Sequence, residues 1–266
     1  MDSTFTPSHR AGSGSPMVLV HGFTDTWRSW DLIRPLLERE HDVLAVTLPG
    51  HAGGPAIEGP VTVETLAAGV EAAMDDAGFE TAHIVGNSLG GFAALQLAVR
   101  GRAESVVALA PAGGWKAGDQ NYLGAMDYFR MVRELLRAAA PHADSIAATA
   151  QGRRRATQML TVNFEHIPPD LIAHQIRGAA GCDRGMELFE YAQREGWELD
   201  AARVTCPVRM VWGTEDRILR LPGAAVRFRE EWVPQAEWLE MEGVGHCPHL
   251  DVPADTAELI LGFTSL

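Results

Sequence analysis

Gly86-Asn87-Ser88-Leu89-Gly90-Gly91 follows a short apolar run, Ala82-His83-Ile84-Val85, and precedes a helix-like one, Phe92 to Val99. Strand, tight turn and helix is the setting in which a Gly-x-Ser-x-Gly pentapeptide holds a serine in a strained backbone with its hydroxyl pointing outward. Gly86 and Gly90 leave room for strand and helix to approach closely, which a β-carbon would obstruct. The helix also aims its N-terminal amides at the place where negative charge would develop on an attacked carbonyl. The chemistry this allows is nucleophilic attack by Ser88.

A serine hydroxyl is a weak nucleophile at neutral pH and needs a general base, itself oriented by a third group. His246 stands in Gly243-Val244-Gly245-His246-Cys247-Pro248-His249, a glycine-rich loop directly after the last strand pattern, with His249 as its competitor. The orienting carboxylate is expected after the preceding strand, where Trp212-Gly213-Thr214-Glu215-Asp216-Arg217 offers Asp216, with Glu215 as its neighbour and rival. The loop after the earlier strand, Pro111-Ala112-Gly113-Gly114, has no carboxylate until Asp119, which favours Asp216. A tetrahedral oxyanion also needs hydrogen-bond donors. The N–H groups of Leu89, next to the nucleophile, and of Phe23, in His21-Gly22-Phe23 after Met17–Val20, are the candidates, with His21 bracing that loop.

These residues must be carried by the ends of strands. Met17–Val20, Val43–Leu48, Ala82–Val85, Ser105–Ala110, Val208–Trp212 and Glu237–Met241 read as strands. They alternate with helical patterns, which predicts a parallel sheet covered by helices. Trp30 to Glu40 reads as a helix, and Thr62 caps another that Gly78 ends. From Gly113 to Arg203 no strand pattern appears and helices dominate, including Tyr122 to Ala138. This stretch is expected to be a helical lid inserted between two strands of one sheet. The last helix starts near Ala254.

The 266 residues are 46% hydrophobic and 21% charged, ordinary globular composition with chain enough for a large core. A formal net charge of −13 argues against a nucleic-acid surface, which needs concentrated Lys and Arg. The only basic run, Arg153-Arg154-Arg155, reads as a solvated helix face. Cys182, Cys206 and Cys247 are odd in number and widely spaced, so neither a disulfide framework nor a zinc site is expected. A polar start without a signal-peptide pattern, and no apolar run near the roughly 20 residues a bilayer requires, predict a cytoplasmic protein without membrane association. No metal-binding or nucleotide-binding pattern appears, and no cofactor is expected.

His21-Gly22-Phe23, Gly86 to Gly91, Gly213-Thr214-Glu215-Asp216 and Gly245-His246 together resemble, in order and spacing, the motifs of the α/β-hydrolase superfamily over nearly the whole chain. The resemblance implies an α/β fold with a mostly parallel, eight-stranded sheet flanked by helices. The core would span 1–112 and 204–266, and a helical cap 113–203. The opening strands look short, so an incomplete first hairpin is an alternative. The family's serine–acid–histidine order matches Ser88, Asp216 and His246, with Phe23 and Leu89 as the oxyanion hole.

The expected partner is a small-molecule ester, with Trp27, Trp115, Met126, Phe129 and Phe164 as candidate substrate-binding residues in an apolar lid. A carboxylesterase acting on small to medium apolar acyl groups fits best. Hydrolysis of a carbon–carbon bond in a vinylogous diketone is an alternative, because Gly86-Asn87-Ser88 resembles that subgroup. Cys247, where that subgroup carries Trp, and the glycine-poor loop at Phe23 speak against it. Lactonase or thioesterase activity uses the same apparatus, and a ligand receptor without turnover would share the fold. Serine in place of aspartate argues against an epoxide hydrolase or haloalkane dehalogenase. Oligomeric state is not readable from the sequence.

Overall fold

Seven strands, β1 (Ser8–Gly12), β2 (Ser15–Val20), β3 (His41–Val46), β4 (Ala82–Asn87), β5 (Ala103–Leu109), β6 (Val208–Gly213) and β7 (Glu237–Met241), form one sheet in the computed structural model, which describes residues 5–115, 120–182 and 184–265. Their order is β1-β3-β2-β4-β5-β6-β7. Every neighbouring pair is parallel except β1 with β3. The central strands are apolar on both faces, as a sheet covered on both sides requires.

On one face Val18, Val20, Ile84, Val106 and Met210 pack against α2 (Val63–Ala77) and α3 (Leu89–Val99). On the other, Met17, Leu19, Val85, Val107 and Val211 pack with Trp30 and Ile33, with Leu37 of α1 (Arg34–Leu37), and with Ile260 further along the chain. The ends of α2 follow from sequence: the Thr62 hydroxyl accepts from the Thr65 N–H at 3.1 Å, and Gly78 takes φ 76° beyond its last turn.

Between β5 and β6 the chain forms α4 (Gln120–Ala139), α5 (Ala143–Ala147), α6 (Ala150–Thr157), α7 (Pro169–Ala180) and α8 (Gly185–Glu195), with no strand among the described residues. Ala143, Ala147, Ile167, Leu171, Ile172 and Ile176 of this insert share a core with Cys247, next to His246, and with Leu250 in the short helix that follows. Two helices close the chain, α9 (Pro248–Asp251) and α10 (Pro253–Thr264). Among the described residues no helix is long and apolar enough to cross a membrane.

Two expectations need correction. The described residues form seven strands, one fewer than the eight the resemblance implies. The opening contributes one described strand, β1, which skips β2 and pairs antiparallel with β3, Ser8 opposite Val46 and Gly12 opposite Asp42. Its sequence, Ser-His-Arg-Ala-Gly, has no apolar alternation to betray it, since an edge strand is held by its backbone ladder. The helix expected over Trp30 to Glu40 is a 3₁₀ turn at Trp27–Trp30 followed only by α1. Pro35 removes a backbone N–H that a longer helix would need.

Candidate active site

The turn between β4 and α3 leaves no room for a side chain at Gly86 or Gly90. A β-carbon on Gly86 would sit 2.1 Å from the Gly90 carbonyl oxygen, and one on Gly90 would sit 2.1 Å from that of Val20. Ser88 adopts φ 54°, ψ −116°, a conformation that side-chain-bearing residues rarely occupy. Hydrogen bonds on both sides hold it there: its N–H donates to Leu109 O at 2.9 Å, and its carbonyl accepts from Ala112 N–H at 2.9 Å. Among the described residues, the non-glycine residues with positive φ are Thr24, Ser88 and Ala110, each just past the carboxyl end of a strand. Backbone strain is concentrated where functional groups gather.

β2 lies beside β4 with Val20 opposite Gly86, which sets the loop after β2 against the turn. A β-carbon on Gly22 would meet Asn87 Oδ1 at 3.1 Å and Ser88 Cβ at 3.3 Å. His21 fixes this loop from below. Its Nε2 accepts from the Leu48 N–H at 2.9 Å, so Nδ1 carries the proton it donates to Gly22 O at 2.6 Å. Burial, and then the neighbouring His51, hold His21 well below the usual histidine range, so it bridges β2 and β3 as a neutral ring. Phe23 follows it. Leu89 is the first residue of α3, and its N–H belongs to the turn that finds no acceptor within the helix.

Asp216 and His246 meet after β6 and β7. His246 Nδ1 lies 2.7 Å from Asp216 Oδ2, and both side chains are buried. The other carboxylate oxygen accepts from the N–H groups of Ile218 and Leu219, each at 2.8 Å. With Asp216 Oδ2 as its partner, the imidazole carries its proton on Nδ1 and leaves Nε2 unprotonated. The rivals lie elsewhere. Glu215 is exposed to solvent. His249 is buried with its ring 4.3 Å from that of Trp30, and burial, with His246 nearby, lowers it to about 3.

The family model described as the alpha/beta hydrolase family matches residues 17–259. The chain is an α/β hydrolase. It is 31% identical over 199 residues to the epoxide hydrolase EphH of Mycobacterium tuberculosis, covering 74% of this chain and 92% of that one. It is 26% identical to the pimeloyl-[acyl-carrier protein] methyl ester esterase of Aeromonas hydrophila, covering 96% and 97% of the two chains. A thermophilic esterase from Thermogutta terrifontis shares the fold, with a TM-score of 0.73 at 21% identity over 97% of this chain and 92% of that one.

Ser88 and His246 line one cavity of about 450 Å³ in the hydrolase, between the strand ends and the helical insert. Of the residues expected to bind substrate, Phe129 lines it, its ring edge-on to Phe23 at 5.2 Å. The side chain of Met126 lies outside the described residues. Three expectations fail. The Trp27 indole donates to Thr6 Oγ1 at 2.9 Å and stacks on His9, near the start of the chain. Trp115 is buried, 6.5 Å from Trp197 between ring centres. Phe164 packs in the core that the insert shares with Cys247 and Leu250, under the Arg154 guanidinium. Large aromatics in an insert are drawn into its packing, and no periodicity separates those from a cavity wall.

Three polar residues near the site went unassigned in the sequence. Asn87 Nδ2 donates to Leu109 O at 3.1 Å and to His246 O at 3.0 Å, tying β5 to the histidine loop. Asp251 accepts from Gly245 N–H at 2.6 Å, Val162 N–H at 2.9 Å and Asn163 N–H at 2.7 Å, and so fastens the same loop to the insert. Asp25 lines the cavity and accepts from Thr26 N–H at 2.8 Å and Gln175 Nε2 at 2.9 Å. Desolvation raises it to about 6. Asn87 stood inside the recognised motif and Asp251 five residues after His246; only the folded geometry gives them partners. The thiol of Cys247 lies 3.5 Å from Asn87 Oδ1 and is pushed well up by burial. Among the described residues no group of His, Cys, Asp or Glu could hold a metal ion.

Proposed function

We propose that this hydrolase is a serine esterase that cleaves small to medium apolar acyl esters through an acyl-enzyme on Ser88. The observation that carries the reading is that a strained serine and a carboxylate-oriented histidine open onto one largely apolar cavity. His246 Nε2 takes the proton as Ser88 Oγ attacks the ester carbonyl, and Asp216 stabilises the imidazolium that forms. The oxyanion sits on the Phe23 and Leu89 N–H groups, each donor worth about 2.7–4 kcal/mol in such sites. His246 then protonates the leaving alcohol, and water repeats the sequence on the acyl-serine. Helices α4 to α8 serve as a cap over the cavity, with Phe129 on its wall, and exclude water during acylation.

The identity to an epoxide hydrolase favours a second reading, opening of an epoxide. The nucleophile's chemistry decides against it. Attack of a serine oxygen on an epoxide carbon leaves an alkyl ether, which has no carbonyl for water to attack, whereas attack on an ester leaves a hydrolysable acyl-serine. The two readings separate in a panel of p-nitrophenyl acetate, p-nitrophenyl butyrate and styrene oxide. The esters should turn over and the epoxide should not, and Ser88→Ala should abolish ester hydrolysis. Epoxide turnover that survives Ser88→Ala would overturn the proposal.

A further inference from the structure

The three arginines of the chain's basic run part company in the fold. Arg153 Nη1 donates to Ala147 O at 3.0 Å, and Arg154 Nη1 to Val162 O at 2.9 Å. Both brace the insert. Arg155, in the last turn of α6, is exposed, lines the cavity that holds Ser88, and makes no hydrogen bond or ion pair among the described residues. Arg133 of α4 lines the same cavity. A helix macrodipole explains a cation in the last turn of α6, but not why this one faces the cavity.

The protein carries a formal net charge of −13, and Arg10, Arg184 and Arg229 each hold a carboxylate, those of Asp42, Glu187 and Glu240, whereas Arg155 opens onto a cavity. Among the described residues, the one carboxylate lining the cavity is that of Asp25, on the loop beside Ser88. It would repel an anion placed at the scissile end. Arg155 instead stands at the solvent-facing rim, where Met131 and Leu135 of the cavity wall are 57% and 61% exposed. Val132, Leu136, Met159 and Ile176 line the cavity as well and suit an apolar chain.

Building on the serine-esterase reading, we propose that Arg155 binds an anionic group carried by the ester at the end remote from the scissile bond. The guanidinium fork fits a carboxylate or a phosphate equally. The substrate class is therefore an ester whose apolar chain ends in a carboxylate on the acyl side or a phosphate on the alcohol side. Asp25 and Arg155 together set the orientation: ester toward Ser88, anion toward the rim.

Binding to the Ser88→Ala protein tests this without requiring turnover. Calorimetric titration would compare monoethyl adipate with ethyl hexanoate, and 6-acetoxyhexyl phosphate with hexyl acetate. At least one anionic probe should bind about tenfold tighter than its neutral match. That advantage should shrink in about 0.5 M salt, where charges are screened. It should fall to near unity when Arg155→Gln is added and return in part with Arg155→Lys. A preference confined to the adipate assigns the anion to the acyl side, and one confined to the phosphate assigns it to the alcohol. Equal binding of each pair, or a preference that Arg155→Gln leaves intact, overturns the inference. Failure of the wild-type protein to hydrolyse either neutral ester would instead overturn the esterase reading, while the titrations still decide on Arg155.

Discussion

The strand ends and the helical insert both wall the cavity, yet their residues are constrained in different ways. At the strand ends the backbone dictates the residue. Gly86 and Gly90 are forced by carbonyl oxygens 2.1 Å from where a β-carbon would lie, and Ser88 is held at φ 54° by hydrogen bonds to its own peptide groups. In the insert, packing dictates only that a residue be large and apolar, so Phe129 faces the cavity while Phe164 fills the core beside it. Constraint by backbone geometry leaves a pattern in sequence. Constraint by packing leaves only composition.

That contrast can be broken or sharpened by mutation. The largest effect is expected at the strand ends. Asp216→Asn should cost about 10⁴ in kcat for p-nitrophenyl butyrate, because an amide can hold His246 in the wrong tautomer. Glu215→Gln should change little, since Glu215 is exposed. If Glu215→Gln is the more damaging change, the acid has been assigned one position off. Gly90→Ala comes next. With backbone of β2 in the way, urea unfolding should lose about 3 kcal/mol or more, or the chain should fail to fold. A Gly90→Ala protein of wild-type stability would remove the claim that this turn is dictated by close approach.

Asp251 joins the two regions, so its loss reports on their coupling. Asp251→Ala strands the buried Gly245 N–H together with the N–H groups of Val162 and Asn163. A loss of about 2–3 kcal/mol in urea unfolding is expected, with faster proteolysis within the insert than within the sheet. Unchanged proteolysis would mean that the insert is not fastened through this residue.

The smallest effect is a pH dependence at Asp25, on the loop that α7 meets through Gln175. Its pKa is raised from 3.8 to about 6 in the folded protein, so the folded state holds the proton more tightly than the unfolded chain. Asp25 therefore contributes more to stability at pH 4 than at pH 8, and its contribution falls as pH rises between the two pKa values. The Tm of Asp25→Asn relative to wild type should become more favourable from pH 4 to pH 8. A difference that is flat with pH would mean that Asp25 titrates as an ordinary carboxylate.

Sequence pattern carried far at the sheet and little at the insert, for the same reason. Five of the seven strands, β2 to β6, announced themselves as apolar runs because both faces of the sheet are buried there; the edge strand β7 showed a weaker pattern around Trp238 and Leu239, and β1 showed none, because an exposed edge needs no apolar side chains. The Asp216–His246 pair was readable because each follows a strand end in a glycine-bearing loop. Trp27, Trp115 and Phe164 misled because an aromatic residue in a helical or loop segment looks alike whether it packs or lines a cavity. Arg155 read as a solvated residue because nothing in a run of three arginines says which one turns toward the cavity. Asn87 and Asp251 act through backbone partners far along the chain, and no local spacing encodes those.

Ser88 is the proposed nucleophile, and the acyl-enzyme forms on it or not at all. Reaction with a fluorophosphonate, followed by peptide mass spectrometry and a parallel ester assay, tests that most directly. One equivalent of label on Ser88, loss of ester hydrolysis in proportion to labelling, and no labelling of Ser88→Ala are the expected results. Label on another serine, or full labelling of Ser88 with hydrolysis intact, would contradict it.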